Sequence, residues 1–75
     1  MNYIFDEDVR RGSVDVALGR TKREIERAIG VDGYLAYEEA FRLEAERAMD
    51  RGVGDVEELK VVILKRLEYE VKRRH

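Results

Sequence analysis

The 75-residue sequence contains no cysteine, proline or tryptophan, and its only histidine is the last residue, His75. Without cysteine the chain can form no disulfide and offers no thiolate ligand to a metal. A single terminal histidine also excludes an imidazole metal site and leaves the lone serine, Ser13, without a base for nucleophilic catalysis. The sequence therefore predicts no catalytic, cofactor-binding or metal site and no small-molecule substrate, and we do not expect an enzyme.

Long hydrophobic runs are also missing, because the longest uninterrupted apolar stretch has four residues. A membrane-spanning helix needs about 20 apolar residues, and a secretory signal needs an apolar segment of at least about seven. We therefore expect a soluble, cytoplasmic protein that does not enter a membrane.

Side-chain amides are scarce, since Asn2 is the only asparagine and glutamine is absent. Charged residues make up 43% of the chain, with 15 basic and 17 acidic side chains. Helices favour Glu, Lys and Arg in any organism, but dense charge of both signs with few thermolabile amides is also the trend of hyperthermophile proteins. The composition thus indicates a thermophilic source.

The charges are segregated along the chain. Residues 30–59 contain nine acidic and three basic side chains, whereas residues 60–75 contain six basic and two acidic ones. Oppositely charged segments favour self-association between unlike parts of two copies. A basic face could alternatively meet a polyanion.

Two capping boxes and regular apolar spacing indicate helices. Thr21 followed by Glu24 forms the first box, with Gly30 as the terminating glycine. Asp55 followed by Glu58 forms the second box, and between the two boxes apolar residues recur every three or four positions. The predicted helices are residues 21–29, 34–51 and 55–74.

The first 18 residues are less regular. Residues 1–5 read as a short extended segment or apolar arm, and residues 13–18 form a short, weak element between Gly12 and Gly19. A chain this short buries only about 60% of its unfolded surface, so its core needs additional support. The sequence predicts a single all-α domain, residues 1–75, formed by a small bundle of three to four helices with a long C-terminal helix and completed by dimerisation.

Four consecutive apolar residues, 61–64, interrupt the charged C-terminal helix. In a helix they point around most of the circumference, so they need cover on more than one side. A second copy or a protein partner could provide this cover. Alternatively, helices 21–29 and 34–51 bury all four within one chain. The predicted oligomer interface consists of Val61, Val62, Ile63, Leu64, Leu67 and Tyr69.

A glycine, a hydroxyl residue, basic residues and a glutamate follow one another from Gly19 to Glu24. This order loosely resembles the second helix of ribbon-helix-helix repressors, with residues 3–5 as the ribbon, and the resemblance covers about residues 2–30. It implies a helix whose N-terminus meets a DNA phosphate. The same segment can be read as a helix-turn-helix with Gly19 in the turn. The possible nucleic-acid contacts are Arg20, Lys22, Arg23 and Arg27.

The two functional hypotheses belong to different classes. The favoured one is a small non-enzymatic helical module for protein–protein interaction or assembly, homodimeric and without a cofactor. The alternative is a small DNA-binding transcriptional regulator that uses the basic helix 20–29. The net charge of −2 is opposite to the basic footprint of such regulators, which ranks this hypothesis second.

Overall fold

The computed structural model describes the backbone of residues 3–74 and the side chains of residues 10–74. Within them the chain forms two helices, α1 (Tyr3–Asp50) and α2 (Val56–Arg73), and no strand. The all-α prediction is confirmed, whereas three to four separate helices are not seen. Of the predicted arm at residues 1–5, residues 3–5 are helical, and residues 1–2 lie outside the described part of the chain.

Helix α1 folds back on itself at Gly30. Its backbone there has φ 83° and ψ 166°, a conformation open almost only to glycine. A straight helix of this length would extend roughly 72 Å, but the longest dimension of the molecule is 47 Å. Ion pairs join Arg10 to Asp50 and Asp15 to Arg42, so the two parts run antiparallel. We call residues 3–29 the N-terminal arm and residues 31–50 the C-terminal arm.

A second glycine permits the tight turn between the arms. A Cβ atom on Gly33 would lie 2.9 Å from the Cβ of Ile29, which is closer than real side chains approach. Gly30 therefore supplies the backbone conformation, and Gly33 supplies the space into which Ile29 folds. The predicted end of a helix at Gly30 is confirmed, and the next segment begins a few residues earlier than expected.

The prediction of a weak element at residues 13–18, bounded by glycine turns, is wrong. The helix runs through Gly12 and Gly19, and Val14 and Leu18 are buried. Two helical glycines cost about 2 kcal/mol together. Burying one Val or Leu side chain stabilises the folded state by about 1.5–3 kcal/mol. A continuous apolar stripe on the arm thus outweighs both glycines.

Thr21 does not cap a helix, so the predicted capping box at this residue is also wrong. Its side chain lies in the core with no exposed surface. The hydroxyl donates to the carbonyl oxygen of Ala17 at 2.9 Å, and the carbonyl oxygen of Leu18 lies 3.2 Å from the same hydroxyl. These acceptors belong to the preceding helical turn, which gives the buried hydroxyl a partner inside the helix.

Gly52 ends α1 as predicted. With φ 102° it adopts the left-handed conformation, and its N–H donates to the carbonyl of Met49. The Val53 N–H donates to the carbonyl of Ala48, so the two bonds make a Schellman motif. The Val53 side chain packs against the core, as this motif commonly requires.

Helix α2 has the predicted boundaries. Asp55 is its N-cap, and the carboxylate accepts the backbone N–H of Glu57 at 3.2 Å. Acidic residues open the helix and basic ones close it, in agreement with the helix dipole. Neither α1 nor α2, over the residues described, combines the length and apolar character needed to cross a membrane.

The core lies where the two arms and α2 meet. It is small and dominated by aliphatic residues, with one phenylalanine and one tyrosine. Its buried apolar members are Val14, Ala17, Leu18, Ile25, Tyr34, Phe41, Ala45, Ala48, Leu59, Ile63 and Leu67.

Candidate interaction surface

A groove of about 530 Å³ runs between the C-terminal arm and α2. One of its lining residues belongs to α1, one lies just after the end of α1, and four lie on one side of α2. Apolar and basic groups line it together with one glutamate, so it offers both contact area and positive charge. The lining residues are Glu44, Arg51, Val62, Lys65, Arg66 and Tyr69.

An ion network holds Arg66 in the groove wall. Its Nε donates to Glu70 at 2.9 Å, and its terminal nitrogen donates to Glu44 at 3.2 Å. Hydrogen bonding to Glu70 is the main reason why the pKa of Arg66 is raised above its ordinary value. Glu70 is almost fully buried, and Arg73 approaches its other oxygen at 3.7 Å. Arg66 therefore links the two helices and is a fixed part of the wall.

Tyr69 is the more exposed of the two apolar side chains in the groove, with 56% of its surface accessible. The guanidinium of Arg73 lies 5.7 Å from the centre of its ring, which is within cation–π range. Tyrosine combines a broad apolar area with few rotatable bonds, and it is enriched at interaction hot spots. The contact with Arg73 restricts the exposed Tyr69 ring, which limits the side-chain entropy that a further contact with the ring would cost.

The predicted interface residues separate into three groups. Ile63 and Leu67 are buried in the chain's own core, so they pack beneath the surface and are not exposed on it. Val62 and Leu64 are half-buried and pack on the edges of that core. Val61 and Tyr69 are exposed. Successive residues of a helix point 100° apart, so only one member of the 61–64 run faces fully inward.

Two outward stripes lie on the helices that form the groove, and the stripe on α2 includes three of the groove's lining residues. Both have the 4-3-4 spacing that keeps side chains on one side of a helix, outside the core stripe of the same helix. Leu43 lies in the first stripe with 49% of its surface exposed, and the sequence interpretation missed it. Its spacing from Ala36 and Ala40 was the signal that could have revealed it. The stripes are Ala36, Ala40, Leu43 and Arg47 on α1, and Glu58, Val62, Lys65 and Tyr69 on α2; we call them together the docking face.

The residues predicted to contact nucleic acid all lie on the N-terminal arm. Arg20 pairs with Glu57 of α2 at 3.2 Å, and the ammonium of Lys22 lies 5.6 Å from the centre of the Tyr34 ring. Both cations thus join the N-terminal arm to other parts of the chain. Arg23 and Arg27 are exposed.

Neither of the two DNA-binding folds suggested by the sequence is formed within the described residues, and contact of the four cations with nucleic acid stays a prediction. The helix continues through Gly19, so the turn needed between the two helices of a helix-turn-helix is missing. Residues 3–5 are helical and cannot serve as the ribbon of a ribbon-helix-helix protein. The physical reason is the continuous core stripe of the N-terminal arm described above.

Comparisons with known proteins give no further guide to function. No protein-family model matches the chain, and no curated protein or solved structure is significantly similar to it. Within the described residues, no group of three or more histidine, aspartate or glutamate side chains is arranged to hold a metal ion. Function must be inferred from the surface itself.

Proposed function

We propose that this chain is a small non-enzymatic protein–protein interaction module that assembles as a homodimer through the docking face. The observation that carries the proposal is the apolar centre of that face. Leu43 and Tyr69 are about half exposed, and half-buried Val62 lies in the groove beside Tyr69. Apolar and aromatic side chains in the middle of a surface, with charged groups around them, are the usual composition of an interface core and rim.

The size of the molecule supports the same proposal. Its accessible surface is 5400 Å², whereas a compact monomer of this mass exposes roughly 4800 Å². A standard interface removes about 800 Å² from each partner. Dimerisation through the docking face would thus offset the excess surface of an elongated small chain.

Dimerisation also completes the predicted bundle. The two arms and α2 form three helical rods around a narrow core. A second copy laid over the docking face would cover the outward stripes and give the C-terminal arm and α2 partners on both sides. This larger core is the support that a 75-residue chain without disulfides or metals needs.

A thermophilic source is part of the proposal. The network of Glu44, Arg66, Glu70 and Arg73 joins two helices through several ion pairs. Such networks stabilise proteins more at high temperature than isolated pairs do, because the cost of desolvating charged groups falls as temperature rises. Thermal unfolding monitored by circular dichroism should show a midpoint above about 65 °C, the upper end of the usual mesophile range.

Sedimentation equilibrium tests the dimer. The wild-type chain should sediment as a dimer at micromolar concentration, and Val62→Glu should weaken self-association at least tenfold because it places a charge in the groove. Val16→Glu is the matched control, since Val16 is 43% exposed but lies on the N-terminal arm. A wild-type chain that remains at the monomer mass of 8.8 kDa at high concentration would refute the proposal. So would an equal loss of association in both variants.

A further inference from the structure

The C-terminal arm carries a second exposed feature, which we call the acidic ridge: Leu35, Glu39, Leu43 and Glu46. Their spacing of four, four and three residues places them along one side of the helix. Leu35 is 65% exposed and Leu43 is 49% exposed, and both glutamates are exposed. The ridge thus alternates apolar side chains with carboxylates, of which Glu39 has a long ion pair with Arg42 at 3.9 Å. The apolar groups lack cover within the chain.

The groove has the opposite charge. Arg66 is compensated by Glu44 and Glu70, but Arg51 and Lys65 take part in no ion pair among the described residues. These two cations line the groove together with the apolar side chains of Val62 and Tyr69. The groove therefore suits a helix that presents carboxylates around aliphatic side chains.

We infer that the acidic ridge of one copy occupies the groove of the second copy. This inference rests on the proposed homodimer and specifies how its two surfaces pair. Glu39 and Glu46 meet the cations of the groove, while Leu35 and Leu43 cover its apolar centre. Each copy carries both surfaces, and a two-fold axis relating the copies would let them make the contact twice.

Charge complementarity decides the orientation of the two copies. The reverse pairings, ridge against ridge or groove against groove, bring like charges together, which costs several kcal/mol at an interface. Opposite charges at the rim mainly select the right arrangement and speed association, while the apolar centre supplies the affinity. Every chain carries one ridge and one groove, so the two surfaces are always present in equal amounts. No other acidic partner is required.

Charge-swapped variants test this pairing. The groove variant is Arg51→Glu/Lys65→Glu, and the ridge variant is Glu39→Lys/Glu46→Lys. Each alone has like charges at both contacts and should self-associate at least tenfold more weakly than the wild type. In an equimolar mixture every ridge meets a groove of opposite charge, so native mass spectrometry should show a 1:1 heterodimer with near wild-type affinity. Circular dichroism verifies that each variant is folded.

The control pair is Arg23→Glu and Glu24→Lys, two exposed charge reversals on the N-terminal arm. Both should remain homodimers, and their mixture should show only statistical exchange. If Val62→Glu dissociates a wild-type dimer but the charge-swapped mixture yields no preferred heterodimer, the ridge-to-groove pairing is wrong and the docking face stands. A monomeric wild type overturns both.

Discussion

Arg66 forms an ion pair with Glu70, whose carboxylate is buried in the folded chain. Its Nε donates to Glu70 at 2.9 Å, and Glu70 is 2% exposed in the side of α2 that faces the core. The same guanidinium reaches Glu44 on the C-terminal arm. A buried charge is tolerated only when it is paired and hydrogen-bonded, so Arg66 makes this position of the core compatible with glutamate.

Removing the buried carboxylate should therefore destabilise the fold. Glu70→Ala leaves a small void and deprives Arg66 of its shortest hydrogen bond, and we expect a loss of about 2–3 kcal/mol. Glu68→Ala removes an exposed partner of Lys72 and should cost no more than about 0.5 kcal/mol. Urea unfolding of the two variants measures both values. Equal effects would mean that burial of Glu70 contributes nothing specific.

Two glycine substitutions should have opposite signs. Gly19 is helical with open space around it, so Gly19→Ala should stabilise the protein by roughly 0.5–1 kcal/mol. Gly30 has a conformation that alanine adopts only under strain, and Gly30→Ala should destabilise by about 1–3 kcal/mol. Thermal unfolding midpoints compare the two variants directly. Destabilisation by Gly19→Ala would place a turn there and revive the helix-turn-helix hypothesis.

Thr21 offers a test between capping and core packing. Thr21→Val keeps the shape and removes a hydroxyl, so a core position should retain or gain stability, whereas an N-cap would lose about 1 kcal/mol. Thr21→Ser keeps the hydroxyl and removes a buried methyl group, which should cost about 1 kcal/mol in the core. Guanidinium unfolding of both variants gives the answer: a more stable serine variant would contradict the structure.

The buried phenol of Tyr34 should make the free energy of unfolding decrease at alkaline pH. Burial, reinforced by Glu38, raises the pKa of its phenol above the ordinary value of 10.0. A raised pKa means that the folded state favours the neutral phenol. Its contribution is full below pH 10 and is lost as the pH rises through the folded pKa. Stability of the wild type relative to Tyr34→Phe should thus fall in urea unfolding as the pH rises above about 10; parallel curves would argue against it.

The second half of the fold was predictable because its signals are local. Asp55 stands immediately before an amphipathic segment and caps it, and Gly52 follows the preceding stripe and ends it. Each signal acts within one turn of helix, so the neighbouring residues in the sequence are enough to predict where the helix begins or ends. The boundaries of α2 and the inward side of the C-terminal arm follow from these positions.

The first half was not predictable from local signals. Gly19 and Thr21 resemble a turn and a cap, but both belong to a helix whose buried stripe packs against residues far away in the sequence. Burial of Val14 and Leu18 outweighs a local preference worth about 1 kcal/mol per residue. The groove was missed for a related reason: Arg51 and Lys65 come together only after the chain has reversed direction between the helices.

The reversal of chain direction at Gly30 restricts where residues can be inserted into or deleted from this chain. One residue inserted between Gly30 and Phe41 would rotate all later positions of the arm by about 100°, which would carry Phe41 out of the core and Arg42 away from Asp15. An insertion of seven residues would nearly restore the helical phase. Residues 51–55 lie between the helices and escape this constraint. Length differences among natural variants are therefore expected there, or in steps of whole heptads.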